Sequence, residues 1–357
     1  MSARDDAKTY TAAVIGVGAA VQSHVKGGGH RIGYTHGQMY RDHPHARLVA
    51  AADINRENLD AFAEQFDVPH AFLDHRAMLA ESRPDIVSIC TWMGPHRRMI
   101  EDAARAGAKA IFCEKPFVAS PVELQAVRDV VRETGVKLAI AHVRRYRPAC
   151  ERIRQLIRDD AIGTPVLFAA GIEGWDLSEW GSHWLDIFRF FLDDMPVKWV
   201  MGQARVRDQR GYGHAMEEHA VAYFAFENGC RGIVDGGRDL SGGARITLVG
   251  SAGMIRLLDE DKIDVTDASG HRIETFDDPI SKGWHELWQP CLDGIVKWLD
   301  GGDEPRIGFS HTAGSAELNL AAYVSMVRGD RVDLPLVDEL DEFPVEVLAR
   351  RAERARQ

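Results

Sequence analysis

Short apolar runs alternate with amphipathic stretches through the first 142 residues. Thr11–Ile15, Arg47–Asp53, Asp85–Thr91, Ala110–Cys113 and Lys137–His142 are apolar at successive positions, the pattern of strands covered on both faces. Between them, Leu59, Phe62 and Phe66 fall at helical spacing within Asn58–Phe66, and Met99, Ile100, Ala103 and Ala104 form a second stripe that ends near Gly107. Ser120-Pro-Val-Glu123 is a capping box with proline at the first helical position, opening a helix that runs to Gly135. Strand and helix in alternation predict a doubly wound parallel sheet.

The pattern changes after Arg144-Arg-Tyr-Arg-Pro148. One helix, Cys150–Arg158, is followed by a long excursion and then by Ala220–Phe226, Ile246–Val249 and Met254–Leu258, separated by glycine-bearing turns such as Phe226-Glu-Asn-Gly229. These predict a large, mostly antiparallel open sheet, whose bare face needs a helix or a second subunit over it. Ser315–Val327 and Glu346–Gln357 read as late helices. The expected class is α/β: a nucleotide-type domain over 1–147 and an α+β domain over 148–357 that binds substrate and carries oligomerisation.

A chain of 357 residues exceeds one hydrophobic core, in keeping with two domains. A formal charge of −11 argues against nucleic acid or an anionic membrane as partner. Five scattered cysteines without a Cys-x-x-Cys pair suggest neither a disulfide framework nor a zinc site. Met1–Tyr10 lacks an apolar signal-peptide core, and no apolar run approaches the ~20 residues that span a bilayer, so a cytoplasmic protein is expected.

Three motifs carry candidate chemistry. The first strand runs into Gly16-Val-Gly18, the opening of a dinucleotide fingerprint, with Val21 where the third glycine belongs. The second strand ends in Asp53, placed to accept from adenosine ribose hydroxyls and to repel a 2′-phosphate; a plain helix N-terminal Asp is the alternative, and Arg56 is near enough to leave NADP open. Positions 16 and 53 are 37 apart where the fingerprint expects roughly 20. The insert Lys26–Gly33, glycine-rich and basic, is either a cofactor clamp or a surface loop.

The second motif is Glu114-Lys115-Pro116. Proline cannot continue a central strand, so the two charges stand at the strand's carboxyl end, where open α/β sheets bind ligands. A lysine there can hold a hydroxyl or carbonyl oxygen; a surface ion pair is the plainer reading. The third lies in Ser178–Phe191. Trp184, Ile187, Phe188 and Phe191 form a core stripe, and Glu179, His183 and Asp186 share a face about 120° away. A histidine flanked by carboxylates suits an oriented base, or a surface ion cluster. Its spacing also permits a metal, but no second metal-type cluster supports one.

Together these motifs resemble the Gfo/Idh/MocA oxidoreductases, from Val14 to about Leu336. The resemblance rests on Gly16-x-Gly18, Asp53, Thr91 through His96, Glu114-Lys115-Pro116, Arg145-Tyr-Arg-Pro148, Gly181-Ser-His-Trp-Leu-Asp186, and Ala321–Ser325 through Val332–Pro335. It implies an N-terminal Rossmann domain, NAD in preference to NADP, and reversible oxidation of a secondary hydroxyl on a sugar or polyol. It implies His183 as base, oriented by Glu179, with Lys115 on the same oxygen. Gly16, Gly18, Asp53, Arg56, Thr91, Trp92, His96, Glu114 and Lys115 would line the cofactor. Arg145, Tyr146, Trp175, Trp180 and Asp186 are candidates for the sugar pocket, the first four on position alone. Homodimers or homotetramers are also implied. Three departures stand out: the third glycine is absent or displaced to Gly33, the family's following histidine is either His24 or His36, and Glu179 replaces an Asp. A redox-neutral enzyme that retains its nicotinamide, and a non-catalytic cofactor-binding regulator, remain as other readings.

Overall fold

The computed structural model describes residues 8–19, 31–174, 176–211, 214–237 and 245–357. His24, Trp175 and most of the 26–33 insert lie outside them. The chain divides into two compact units: residues 1–117, 126–141 and 282–309 form the first, and 118–125, 142–281 and 310–357 the second. The expected contiguous division at 147/148 differs from this, because residues 282–309 return to the first unit.

The first unit is built on β1 (Tyr10–Ile15), β2 (Ala46–Ala52), β3 (His70–Phe72), β4 (Ile86–Ile89), β5 (Ala110–Cys113) and β6 (Lys137–Ile140). All pairings are parallel, in the order β3-β2-β1-β4-β5-β6. That is the Rossmann order, with its topological switch between β1 and β4. Helices α1 (Ile32–Asp42), α2 (Arg56–Phe66), α3 (His75–Ser82), α4 (His96–Arg105) and α5 (Pro121–Thr134) alternate with the strands. Strands β4 and β5 are buried throughout, as a sheet covered on both faces requires. In α2 the buried residues are Leu59, Phe62 and Phe66, the stripe legible in the sequence. At α5 the Ser120 hydroxyl accepts from the Glu123 amide and the Glu123 carboxylate takes the Ala119 amide, closing the capping box.

The returning segment docks through side chains spread along it. Gln289 donates to the Met39 carbonyl at 3.0 Å, His43 meets Asp293 at 3.0 Å, and the Tyr10 hydroxyl donates to Asp300 at 2.7 Å. The Ile140 amide then donates to Ile307, and Gly308 bridges Ala139 beside β6.

The second unit opens with α6 (Pro148–Arg158), β7 (Pro165–Glu173) and α7 (Ser182–Phe191). Then come β8 (Val197–Gly211), β9 (His214–Phe226), β10 (Arg231–Gly237), β11 (Arg245–Gly250), β12 (Met254–Asp259), β13 (Lys262–Asp267) and β14 (Gly270–Thr275). Helix α8 (Gln289–Leu299) belongs to the returning segment; α9 (Phe309–Arg328), β15 (Val332–Asp333) and α10 (Pro344–Arg354) close the chain. The sheet order is β14-β13-β12-β11-β7-β10-β9-β8-β15, antiparallel except for β7 with β10. Gly202 lets β8 approach α9, since a Cβ there would lie 2.6 Å from the Ala322 carbonyl oxygen. The opposite face carries Met201, Tyr223 and Ile233 in one cross-strand row, with Met201 48% exposed. Among the described residues no helix is long and apolar enough to cross a membrane.

Candidate active site

In the first unit the expected cofactor residues gather at the carboxyl ends of the strands. Gly16 and Gly18 both have positive φ, and a Cβ on Gly16 would stand 2.5 Å from Thr91 Cγ2, so the turn after β1 closes directly on the loop after β4. Gly33 lies in the first turn of α1, and a Cβ there would be 2.7 Å from the Cα of Val17. Close helix–strand packing is the work of the fingerprint's third glycine. Gly33 performs it here, with the insert lying between.

Asp53 ends β2. Its carboxylate accepts from the Gly18 amide at 3.0 Å and the Asn55 amide at 2.8 Å, so the strand end and the glycine turn are tied by one side chain. Beside it Ile54 is 94% exposed, an apolar residue the motif reading passed over. Arg56 opens α2 and pairs with Asp60 at 3.5 Å on the surface. The positive-φ turn, the glycine too crowded for a side chain, and an acidic residue one strand over fit a dinucleotide.

Glu114 is not half of a surface ion pair. Its carboxylate is buried, with Oε1 3.0 Å from His36 Nε2 and 3.2 Å from Trp288 Nε1. His36 turns its other nitrogen to Ser88 at 2.8 Å, and Tyr40 reaches the same hydroxyl at 2.7 Å. Burial alone would raise the Glu114 pKa; His36, Lys115 and Trp288 outweigh it and leave the carboxyl lowered, hence ionised. Lys115 follows directly, half-buried, its amide 3.3 Å from Glu114 Oε2. Trp288 lies 174 residues away in the returning segment, with no linear signal to betray it.

Thr91 and Trp92 are half-buried in the loop after β4. His96, expected at the cofactor, is fully buried with Nδ1 2.8 Å from the Phe117 carbonyl and Nε2 2.8 Å from the Thr91 carbonyl. The ring thus sits between the loop after β4 and the loop after β5, a nitrogen close to a carbonyl of each. Burial lowers its pKa against the pull of those carbonyls.

In the second unit, Ser178–Phe191 is not one helix. Leu177–Gly181 is a turn of π-helix, with the Gly181 amide donating to the Asp176 carbonyl at 3.0 Å, and α7 starts at Ser182. Asp176 caps the turn, accepting from the Glu179 amide at 2.6 Å. Asp176-x-x-Glu179 has the spacing of a capping box, the signal that could have placed this break. Glu179 and His183 are both buried, and the Trp180 ring meets the His183 ring edge-on at 5.9 Å.

Asp186 is held by partners outside α7. Its carboxylate forks onto Arg145, Nε to Oδ2 at 2.8 Å and Nη2 to Oδ1 at 2.7 Å, and also accepts from Ser315 at 2.7 Å. Arg145 has no exposed surface and reaches Asp194 as well, at 2.7 Å, while His142 Nδ1 stands 3.6 Å from Asp186. Two candidates for the sugar pocket, Arg145 and Asp186, thus belong to one buried ion network. Helix α7 is buried on every side, so its polar residues meet other elements and not solvent, and Glu179 stands in the π turn before it. Tyr146 is half-buried and Trp180 half-buried, both on the surface side of their segments. Among the described residues no cluster of three or more His, Cys, Asp or Glu could hold a metal.

Comparison with known proteins places this geometry. Residues 11–142 match the model of the oxidoreductase family with an NAD-binding Rossmann fold, and 150–256 match the GFO/IDH/MocA C-terminal domain. The chain is 27% identical to a D-apiose dehydrogenase of Paraburkholderia graminis, over 92% of this chain and 90% of that protein. It is 30% identical to an inositol 2-dehydrogenase of Rhizobium meliloti, over 82% and 93% respectively. An Agrobacterium radiobacter oxidoreductase crystallised with NAD+, L-tartaric acid and magnesium shares the fold, with TM-score 0.77 at 22% identity over 91% of this chain and 98% of that one. The chain belongs to the Gfo/Idh/MocA family of NAD-binding oxidoreductases.

Proposed function

We propose that the protein is an NAD-dependent dehydrogenase that reversibly oxidises a secondary hydroxyl of a sugar or cyclic polyol. The observation that carries this is the anchoring of Glu114. Held by His36 and Trp288, it fixes the end of β5 and sets Lys115 where a ligand oxygen is received. The apiose- and inositol-oxidising relatives support the substrate class and speak against a redox-neutral enzyme or a regulator.

NAD, when bound, supplies the hydride acceptor. The Gly16–Gly18 turn and the Asp53 carboxylate hold its pyrophosphate and ribose, Ile54 offers the adenine an apolar face, and Thr91 and Trp92 line the same end of the sheet. His183 takes the hydroxyl proton, Glu179 orients it, and Lys115 hydrogen-bonds the same oxygen as charge develops. Tyr146, Trp175 and Trp180 contact the ring. Arg145, Asp186, His96 and Glu114 act at one remove, holding these groups in place. We place the enzyme in the cytoplasm, where its five buried thiols stay reduced, and as a homodimer or homotetramer that covers the Met201–Tyr223–Ile233 face.

Lys115→Met tests the assignment. Turnover should fall by about 10²–10⁴-fold while NADH binding is kept; loss of both together would contradict the role given to Lys115.

A further inference from the structure

Beneath the turn that carries Glu179 lies a second carboxyl pair. Strand β9 would normally aim Glu217 away from the helices, but a register shift between Arg205 and Val206 sets Arg205 against His219 and Val206 against Glu217. Glu218 becomes the extra residue of a bulge, and Glu217 turns to the helix-covered side. There its Oε1 accepts from the Leu177 amide at 2.8 Å and from the Tyr323 hydroxyl at 2.7 Å. Asn319 of α9 donates to the carbonyl of the same Leu177 at 3.0 Å. Asp176 holds the other end of the turn through the Glu179 amide and Ser178. Asp176, Glu217 and Tyr323 are all buried. A buried acid on a bulge, spent on one loop peptide two residues from Glu179, is a costly way to secure a turn that a serine could hold.

We propose that Glu217 is a positioning residue for the Glu179–His183 turn, acting through the Leu177 amide, and that it does so in its protonated form beside Asp176. This rests on the dehydrogenase reading above. Oε1 is already filled by two donors, and the Leu177 amide it holds follows directly on Asp176, so a proton on Glu217 keeps two neighbouring carboxyls from repelling. Burial, then Asp176, pushes the Glu217 pKa up to about 7. The titratable groups around Glu217 include Asp176 from the turn, Tyr323 from α9 and, two residues along β9, Glu346 of α10, which accepts from the Ala215 amide at 2.7 Å; Val206 lies opposite on β8, and the Tyr323 phenol is itself pushed well above its usual value, by burial first and then by Glu217, and stays a donor. Loss of the Glu217 proton sets two carboxylates against each other and moves the turn, so turnover falls on the alkaline side.

Glu217→Gln keeps an acceptor for Leu177 and Tyr323 but cannot ionise, and Glu179 and His183 remain to titrate in it, which makes it the reference. The expected result is that kcat in the Gln variant stays within about threefold of wild type at pH 6 while the alkaline fall in kcat disappears, and that Glu217→Ala loses about tenfold or more in kcat with NADH binding unchanged. Superimposable wild-type and Gln profiles, or an Ala variant with full kcat, would overturn the proposal. Thermal melting without substrate separates this from the function itself. The Gln variant should gain stability over wild type as pH rises from 5 to 8, because the raised Glu217 pKa makes its contribution disappear as pH climbs through it. Asp176→Asn should abolish that gain. A gain with no turnover on any polyol keeps the pair and sinks the substrate reading; a flat difference sinks the pair whatever the turnover.

Discussion

Asp186 grips Arg145 with both carboxylate oxygens, at 2.7 and 2.8 Å, in a place from which water is excluded. Neither residue can be removed singly without leaving its partner buried and charged. Arg145→Ala should therefore cost about 3–5 kcal/mol in urea denaturation. Burial would raise the Asp186 pKa, but Arg145, His142 and Ser315 hold it lowered. The pair's contribution is thus present above the ordinary Asp value and is lost as pH falls through the lowered one, so the gap between wild type and variant should narrow below about pH 4. An unchanged midpoint with a raised KM would return Arg145 to the sugar pocket.

The strand–helix alternation of the first unit was legible where a strand is an apolar run and a helix carries one stripe, as Leu59, Phe62 and Phe66 show; the short, exposed β3 offered no such run. The Rossmann order itself needed space; Gly33 was offered by the sequence as the displaced third glycine, but nothing in the spacing says that residue 33 meets Val17. Glu114 and Lys115 were placed correctly at a strand end, yet the partners that bury Glu114 lie 78 and 174 residues away. The partners of Asp186 were not legible because helical periodicity assigns a face but not what packs on it, and α7 is enclosed on all sides. The return of residues 282–309 to the first unit left no trace in local pattern, since its contacts are single side chains far apart in sequence.

Gly33→Ala should clash with the Val17 backbone and destabilise the first unit by about 1–3 kcal/mol. Because Val17 sits between the two turn glycines, NADH affinity should drop with it. Fluorescence titration and urea melts together check this, and wild-type values in both would mean that the insert, not Gly33, closes the site.

Asp53→Ala removes the acceptor for Gly18 and for the proposed ribose contact. NAD binding should weaken about 10- to 100-fold, with NADP weakened less. Calorimetric titration of both cofactors decides the matter; equal losses would argue that Asp53 only braces the turn.

Met201→Asp combined with Tyr223→Asp places charge on the uncovered sheet row. Sedimentation should show a smaller species that still binds NADH. An unaltered mass would move the subunit contact to another surface.

The most direct measurement is the absorbance of reduced nicotinamide as purified protein and NAD are mixed with a panel of sugars and inositols. The account predicts a clean starting spectrum and a rise with one class of polyol, abolished in His183→Asn. A protein that carries reduced nicotinamide through dialysis, or one that binds NAD and oxidises nothing, would contradict it.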